Sequence, residues 1–178
     1  MEKILTNCTV RSFTMDDAES IARYANNRKI WRNLRDAFPH PYSLADAEEF
    51  LTMVLSISPE TIFCIEHQGE AIGAIGFTIQ SDVNRISAEI GYWIGEPFWG
   101  QGVAAEALRF VTEYAMERHH LKRIYAMPFA WNPASCRVLE KAGYTLESRQ
   151  RQAAVKDGEI IDQFLYVYLA DSNKEDVS

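Results

Sequence analysis

The residues with the clearest capacity for chemistry lie in one stretch, Ala88 to Leu108, which reads AEIGYWIGEPFWGQGVAAEAL. Glu89 to Ile94 is β-branched and aromatic, as a central strand requires, and Pro97 stops it. Gly100 and Gly102 free the backbone of Trp99 to Ala104 from bulk and permit positive φ, so successive N–H groups can converge on one point. From Val103 onward the residues favour a helix, whose unpaired first-turn N–H groups and positive dipole end aim at the same point. This is a cradle for a phosphate or pyrophosphate, although the same residues also suffice for a bare structural turn. It lacks the third glycine and the early βαβ unit of a dinucleotide fingerprint, and no Gly-Lys-Ser/Thr makes it a P-loop.

The rest of the chain supplies elements to position that stretch. Thr9 to Phe13 alternates as a first strand, and Thr14 with Asp17 forms a capping box ahead of a helix striped by Ala18, Ile21, Ala22 and Ala25. A second short helix is expected over Ile30 to Leu34. The segment Arg35 to Tyr42 holds two prolines around His40, which make a stiff extended loop before Ser43 caps a helix with Asp46 at its third position. Phe38, His40 and Tyr42 are of the kind that line a substrate cleft; packed as a connector, Phe38 and Tyr42 would instead join the core. Ala45 to Leu55 continues as a helix. Thr61 to Glu66 and Ala71 to Gln80 form a hairpin around Gln68-Gly69-Glu70, with Gly73 and Gly76 marking a bulge or close packing. After the glycine loop, Val103, Ala107, Phe110, Val111, Tyr114 and Ala115 recur at helical spacing. His119 and His120 end that helix, where a cap fits better than a metal site because adjacent residues face different ways. Lys122 to Phe129 reads as a strand, Asn132-Pro133 opens a helix, and Gly143 closes it. Thr145 to Val155 and Glu159 to Leu169 pair around Lys156-Asp157-Gly158, and the polar tail over 170–178 is expected to fray.

At 178 residues, 47% hydrophobic and 24% charged, the composition predicts a single globular domain over 1–178. No apolar run approaches the ~20 residues of a membrane span, and no secretory layout opens the chain, so no membrane partner and a cytoplasmic location are expected. Cys8, Cys64 and Cys136 form neither a disulfide framework nor paired metal spacing. A net charge of -7 disfavours nucleic acid as a partner and suits a cationic amine or basic peptide.

The run Trp99-Gly100-Gln101-Gly102-Val103-Ala104 resembles the pyrophosphate loop of the GNAT superfamily of acetyl-CoA-dependent N-acetyltransferases. Together with Glu89-Ile90-Gly91-Tyr92-Trp93-Ile94 it is similar to the branch containing the ribosomal-protein N-terminal acetyltransferases. Trp99 departs from the Arg or Gln that usually opens this loop, a form that recurs in that branch. Asn132 to Tyr144, ending Lys141-Ala142-Gly143-Tyr144, is similar to the second motif of the superfamily, and the resemblance spans Thr9 to Leu169. It implies an α+β fold with a central, mostly antiparallel twisted sheet and helices on both faces. It also implies acetyl-CoA as cosubstrate and no metal.

On that resemblance, Trp99, Gly100, Gln101, Gly102, Val103 and Ala104 hold the pyrophosphate. The strand of Trp93 and Ile94 splays from that of Tyr125 to Phe129, the backbone of Trp93 and Ile94 pairs with the pantetheine arm, and Asn132 reaches the pantetheine amides. The loop carrying Phe38, His40 and Tyr42 borders the acceptor. Acetyl transfer to an amine needs a base, for which Glu89 is the candidate, acting through water; among apolar strand neighbours its pKa would be raised. A salt-bridged Glu89 is the structural alternative. Many family members carry a Tyr as acid where Leu139 stands here, so Ser135, similar to the serine of the ribosomal-protein branch, is the candidate to protonate the thiolate; its alternative is to satisfy first-turn N–H groups. The readings carried forward are acetylation of a peptide N-terminus, acetylation of a small amine, and acyl-CoA sensing without turnover. The terminal hairpin also offers an edge strand for a homodimer.

Overall fold

The computed structural model describes residues 1–170, so the tail expected to fray lies, from 171 on, outside the described residues. Eight strands form one sheet in the order β1 (Glu2–Ile4), β2 (Thr9–Arg11), β3 (Ile62–His67), β4 (Glu70–Ile79), β5 (Ser87–Ile94), β6 (Arg123–Ala126), β8 (Glu159–Leu169) and β7 (Thr145–Lys156). All neighbours are antiparallel except β5 and β6. Five α-helices accompany them among the described residues: α1 (Ala18–Ala25), α2 (Arg28–Trp31), α3 (Leu44–Ser56), α4 (Val103–His119) and α5 (Pro133–Lys141). The expected α+β fold is present. Strand alternation divides the core: Phe63, Ile65 and Ile90 pack with Leu108, Val111 and Leu139 of α4 and α5, while Cys64, Ala71 and Ala74 pack with Ile21, Leu51 and Val54 of α1 and α3.

Local signals act as their chemistry dictates. The Asp46 N–H donates to Ser43 Oγ at 3.2 Å and the Ser43 N–H to Asp46 Oδ2 at 2.7 Å, starting α3 where the capping pair stands. Asp157 and Gly158 both take positive φ, 53° and 78°, in the β7–β8 turn. Three boundaries differ from expectation. The first expected strand, β2, ends at Arg11 rather than Phe13, and an exposed three-residue strand, β1, pairs along its outer side. The second helix starts at Arg28 because Asn27 caps it, its Oδ1 accepting from the Lys29 N–H at 2.8 Å. β6 stops at Ala126, ahead of Pro128, which has no N–H to donate.

That early stop matters. β6 pairs with β5 only at Ser87, Ala88 and Glu89, whereas β4 follows β5 to Ile94. The Ile90 to Ile94 half of β5 therefore diverges from β6, opening a gap in the middle of the sheet. Gly73 keeps β4 tight on that half: a Cβ there would stand 2.2 Å from the Trp93 carbonyl oxygen. The register shift in β3–β4 falls beside it, between Ile65 and Glu66, so both bulge and close packing occur at this glycine. Gly73→Ala should lower stability by about 1–3 kcal/mol through overpacking, seen as a lower urea midpoint; an unchanged midpoint would mean that the strands part freely.

Acid should loosen the first layer. Arg11 holds Asp17 at 2.7 and 2.9 Å and Glu66 at 2.5 Å. Burial opposes ionisation of Asp17, but the Arg11 and Thr14 hydrogen bonds outweigh it and hold the carboxyl below its usual range. A carboxyl depressed in the fold stabilises above its unfolded pKa of about 3.9, and that stabilisation is lost as pH falls through the folded value. Urea midpoints should thus fall on acidification below about pH 4, less steeply in Asp17→Asn. Equal slopes would remove Asp17 from the account.

Candidate active site

The glycine loop is pinned by its own large side chains. The Trp99 indole Nε1 donates to the Ile94 carbonyl at 2.7 Å, tying the loop to the end of β5, and Gln101 Nε2 donates to the Pro97 carbonyl at 2.9 Å. Gly100 and Gly102 take φ of 77° and 84°, and Gly102 is the N-cap of α4. The hydrogen bond from its Nε1 to Ile94 gives Trp99 a structural reason to stand at the head of the loop. A cavity of about 340 Å³ opens between this loop, the free half of β5 and the start of α5. Trp93, Ile94, Trp99, Gly100, Gly102, Val103 and Ala104 line it, as do Asn132 and Ser135 across from them. The Gln101 side chain is turned back to Pro97 and lies outside that lining.

Which backbone groups face the gap follows from alternation along β5. The Gln80 N–H donates to Ser87 O at 2.9 Å and the Gly95 N–H to Ile72 O at 2.8 Å, so odd-numbered backbone groups point to β4. Ile90, Tyr92 and Ile94 then point the other way, where β6 has left. Only one of the two residues expected to offer backbone there does so. Ile94 faces the gap with its N–H, its carbonyl being held by Trp99, whereas the backbone of Trp93 is taken by β4. Tyr92, not singled out from sequence, joins Ile94.

Tyr92 has a second role. Its side chain lies on the α5 side of the sheet, with its hydroxyl 2.9 Å from Ser135 Oγ and 3.4 Å from the Ser135 carbonyl. Burial pushes its phenol up to about 12, with the Ser135 hydrogen bond acting weakly the other way. Alternation with Ile90 and Ile94 was the signal that places Tyr92 on this face. Asn132 caps α5, its Oδ1 accepting from the Ser135 N–H at 3.2 Å, so the structural role expected of an Asn-Pro start is filled while the residue also lines the cavity.

Glu89 projects to the opposite face and is one-quarter exposed. Its Oε1 forms a close ion pair with Arg35 Nη2, so its surroundings are not simply apolar. Tyr125, its register partner, has its phenol raised by burial and by the Glu89 charge. The three aromatic residues of the 35–42 loop separate. Tyr42 is buried in the α1–α3 core, which corrects its placement at a cleft surface: its ring packs on Phe38 at 4.8 Å and apolar contact wins. Phe38 also meets Trp93 at 5.9 Å. His40 lies 5.8 Å from the Trp31 ring, with a buried Nδ1 that has no partner among the described residues. None of the three lines the cavity.

Arg109 and Lys141 sit beside the loop, and Lys29 lines the cavity from α2. A neighbouring depression is bordered by Thr6, Asn7, Gly102, Glu106, Arg109 and Lys141, and Lys141 lines the main cavity too. Glu106 shapes it by accepting the Thr6 and Asn7 N–H groups, each at 2.8 Å. At the far end of α4, His120 is a left-handed cap and His119 packs on Phe77 at 5.3 Å. No group of three metal-ligating side chains occurs among the described residues.

A sheet parted between two parallel strands, with a left-handed glycine turn opening a helix at the gap, defines an anion cradle continuous with an open strand edge. A family model described as an acetyltransferase (GNAT) domain matches residues 7–145. The chain belongs to the GNAT acetyltransferase family, and is an acetyltransferase of that kind. It is 32% identical over 111 residues, 62% of each chain, to the ribosomal-protein-serine acetyltransferase of Escherichia coli K12. It is 30% identical over 168 residues to the uncharacterized N-acetyltransferase YoaA of Bacillus subtilis 168, covering 88% of this chain and 90% of that one. Among solved structures, the ribosomal-protein α-N-acetyltransferase RimL in complex with coenzyme A superposes with a TM-score of 0.83 at 22% identity, over 96% and 98% of the two chains.

Proposed function

We propose that this protein transfers the acetyl group of acetyl-CoA to a primary amine, foremost the N-terminal α-amine of a protein or peptide, by direct attack in a ternary complex. The observation that carries the reading is the gap beside Ile90 to Ile94, continuous with the glycine loop and with Ser135. The residues present fit the cosubstrate: N–H groups of the loop and α4 for its pyrophosphate, and the free β5 edge for its amide-bearing arm. Acetyl-CoA supplies a thioester whose acyl carbon is already activated. The Ile94 N–H polarises the acetyl oxygen, Glu89 accepts the amine proton through water, and the Ser135 hydroxyl donates to the sulfur as it departs. Glu89 and Ser135 stand on opposite faces of β5, so acceptor and donor meet through the gap.

The peptide acceptor rests on the name of the Escherichia coli relative and on a net charge of -7, which suits a cationic amine. Three free buried thiols support work in the cytoplasm, and the exposed outer strand β7 supports a homodimer. Thiol release should be measured with peptides of varied N-termini, polyamines, amino acids and aminoglycosides. Turnover confined to peptides supports the proposal. Turnover with polyamines or aminoglycosides alone replaces the acceptor class, and acetyl-CoA binding without any turnover favours a sensor.

A further inference from the structure

Tyr92 is placed with unusual economy: its backbone edges the gap, while its hydroxyl reaches across the cavity wall to the first turn of α5. We infer that Tyr92 is a positioning residue, whose phenol donates to Ser135 Oγ and so turns the Ser135 proton into the cavity, toward the thioester sulfur. This rests on the proposed site for acetyl-CoA. A serine hydroxyl has one proton and two lone pairs, and beside a cavity it can spend its proton on any nearby acceptor. With Tyr92 Oη at 2.9 Å as donor, a lone pair of Ser135 is occupied and its proton is left for the ligand. The Ser135 N–H, held by Asn132 at 3.2 Å, fixes the turn that carries the hydroxyl. Four groups of three elements thus converge: β5 gives Tyr92, the 131–132 turn gives Asn132, and α5 gives the Ser135 amide and hydroxyl.

Tyr92 moves no proton in this scheme. The amine nitrogen forms a bond to the acetyl carbon, the C–S bond breaks with its electron pair on sulfur, and Glu89 takes the amine proton. Sulfur leaves as a thiolate under a hydrogen bond from Ser135 and gains its proton from water on release. Because burial keeps the phenol protonated, it stays a donor throughout the pH range of the reaction. The alternative acceptor within its reach, the Ser135 carbonyl, is at 3.4 Å and less favourable.

The test uses free CoA, whose bound thiol reads the donor directly and needs no acceptor. Affinities of the full-length protein for CoA and for desulfo-CoA are measured from pH 7 to 9.5. A donor at sulfur favours the thiolate, so the CoA-to-desulfo-CoA affinity ratio should rise about ten-fold as pH rises past the usual thiol range near 8.5. Tyr92→Phe and Ser135→Ala should each flatten that rise, and the double variant should be no flatter than either. Steady-state kinetics supply a second readout, in which Tyr92→Phe lowers kcat about ten-fold with the acetyl-CoA KM unchanged. If Tyr92→Phe fails to fold, 3-fluorotyrosine at position 92, a stronger donor of the same shape, should steepen the rise instead. A rise that survives Tyr92→Phe, or is shallower with fluorotyrosine, overturns the inference. Absence of thiol release in the wild type would overturn the proposed reaction alone, since the affinity ratio is read without turnover.

Discussion

Glu89→Gln should lower kcat by roughly 100- to 1,000-fold at saturating amine while leaving the acetyl-CoA affinity within about two-fold. The change removes one thing, the ability to accept a proton. Gln has the size of Glu, and its amide oxygen can still accept from Arg35, so the loop that Arg35 anchors to β5 has little reason to move. The side chain is 24% exposed, so no buried charge is stranded in either form. Cofactor affinity should hold because the loop, the Ile94 edge and Ser135 all lie on the other side of the strand or beyond its end. Turnover that survives the substitution would transfer the base role elsewhere, with Tyr125 the next group to examine, since its phenol shares the Glu89 environment.

Gly102→Val should weaken acetyl-CoA binding by at least about ten-fold while sparing the fold. Gly102 sits at φ 84° as the N-cap of α4, a conformation that costs roughly 1–2 kcal/mol for a residue with a Cβ and more for a β-branched one. Space is not the obstacle in the protein itself, for the nearest atom to an added Cβ, Asn7 Nδ2, is 3.6 Å away. Relief of strain would instead rotate the turn, and the N–H groups that converge there would cease to do so; each 1.4 kcal/mol of lost binding is a ten-fold change. Calorimetric titration reads the affinity and a urea melt reads the fold. Unchanged affinity with intact structure would mean that the glycine turn serves only the chain.

The parts of this molecule visible in the residues are those decided within a few positions. Ser43 with Asp46, Asn132 with Pro133, and Asp157-Gly158 each contain their own reason for a cap or turn, and the β-branched and aromatic run stopped by Pro97 marks β5 just ahead of the glycine loop. What distance along the chain decides is harder to read. Arg35 meets Glu89 across 54 positions and Tyr92 meets Ser135 across 43, and neither pairing has a local signal. Tyr42 went to the core because its neighbours Phe38 and Ala47 are there, a fact of packing that its loop sequence does not contain. Lys156 reads as part of an exposed turn, yet it is 1% exposed, its Nζ 3.8 Å above Trp31 and 2.8 Å from Asp36. That contact fastens the terminal hairpin to α2 and to the 35–42 loop, a tertiary choice that overrides a charged residue's preference for water.

The central claim is that the gap beside β5 delivers an acetyl group from CoA to an amine. Free thiol and acetylated acceptor should be quantified in the same reaction, using wild-type protein, acetyl-CoA and a peptide with a free N-terminus. The account predicts one acetylated α-amine for each thiol released, with both products lost together in Glu89→Gln. Thiol without acetylated peptide, or acetyl-CoA bound and returned intact across peptide and small-amine acceptors alike, would contradict it.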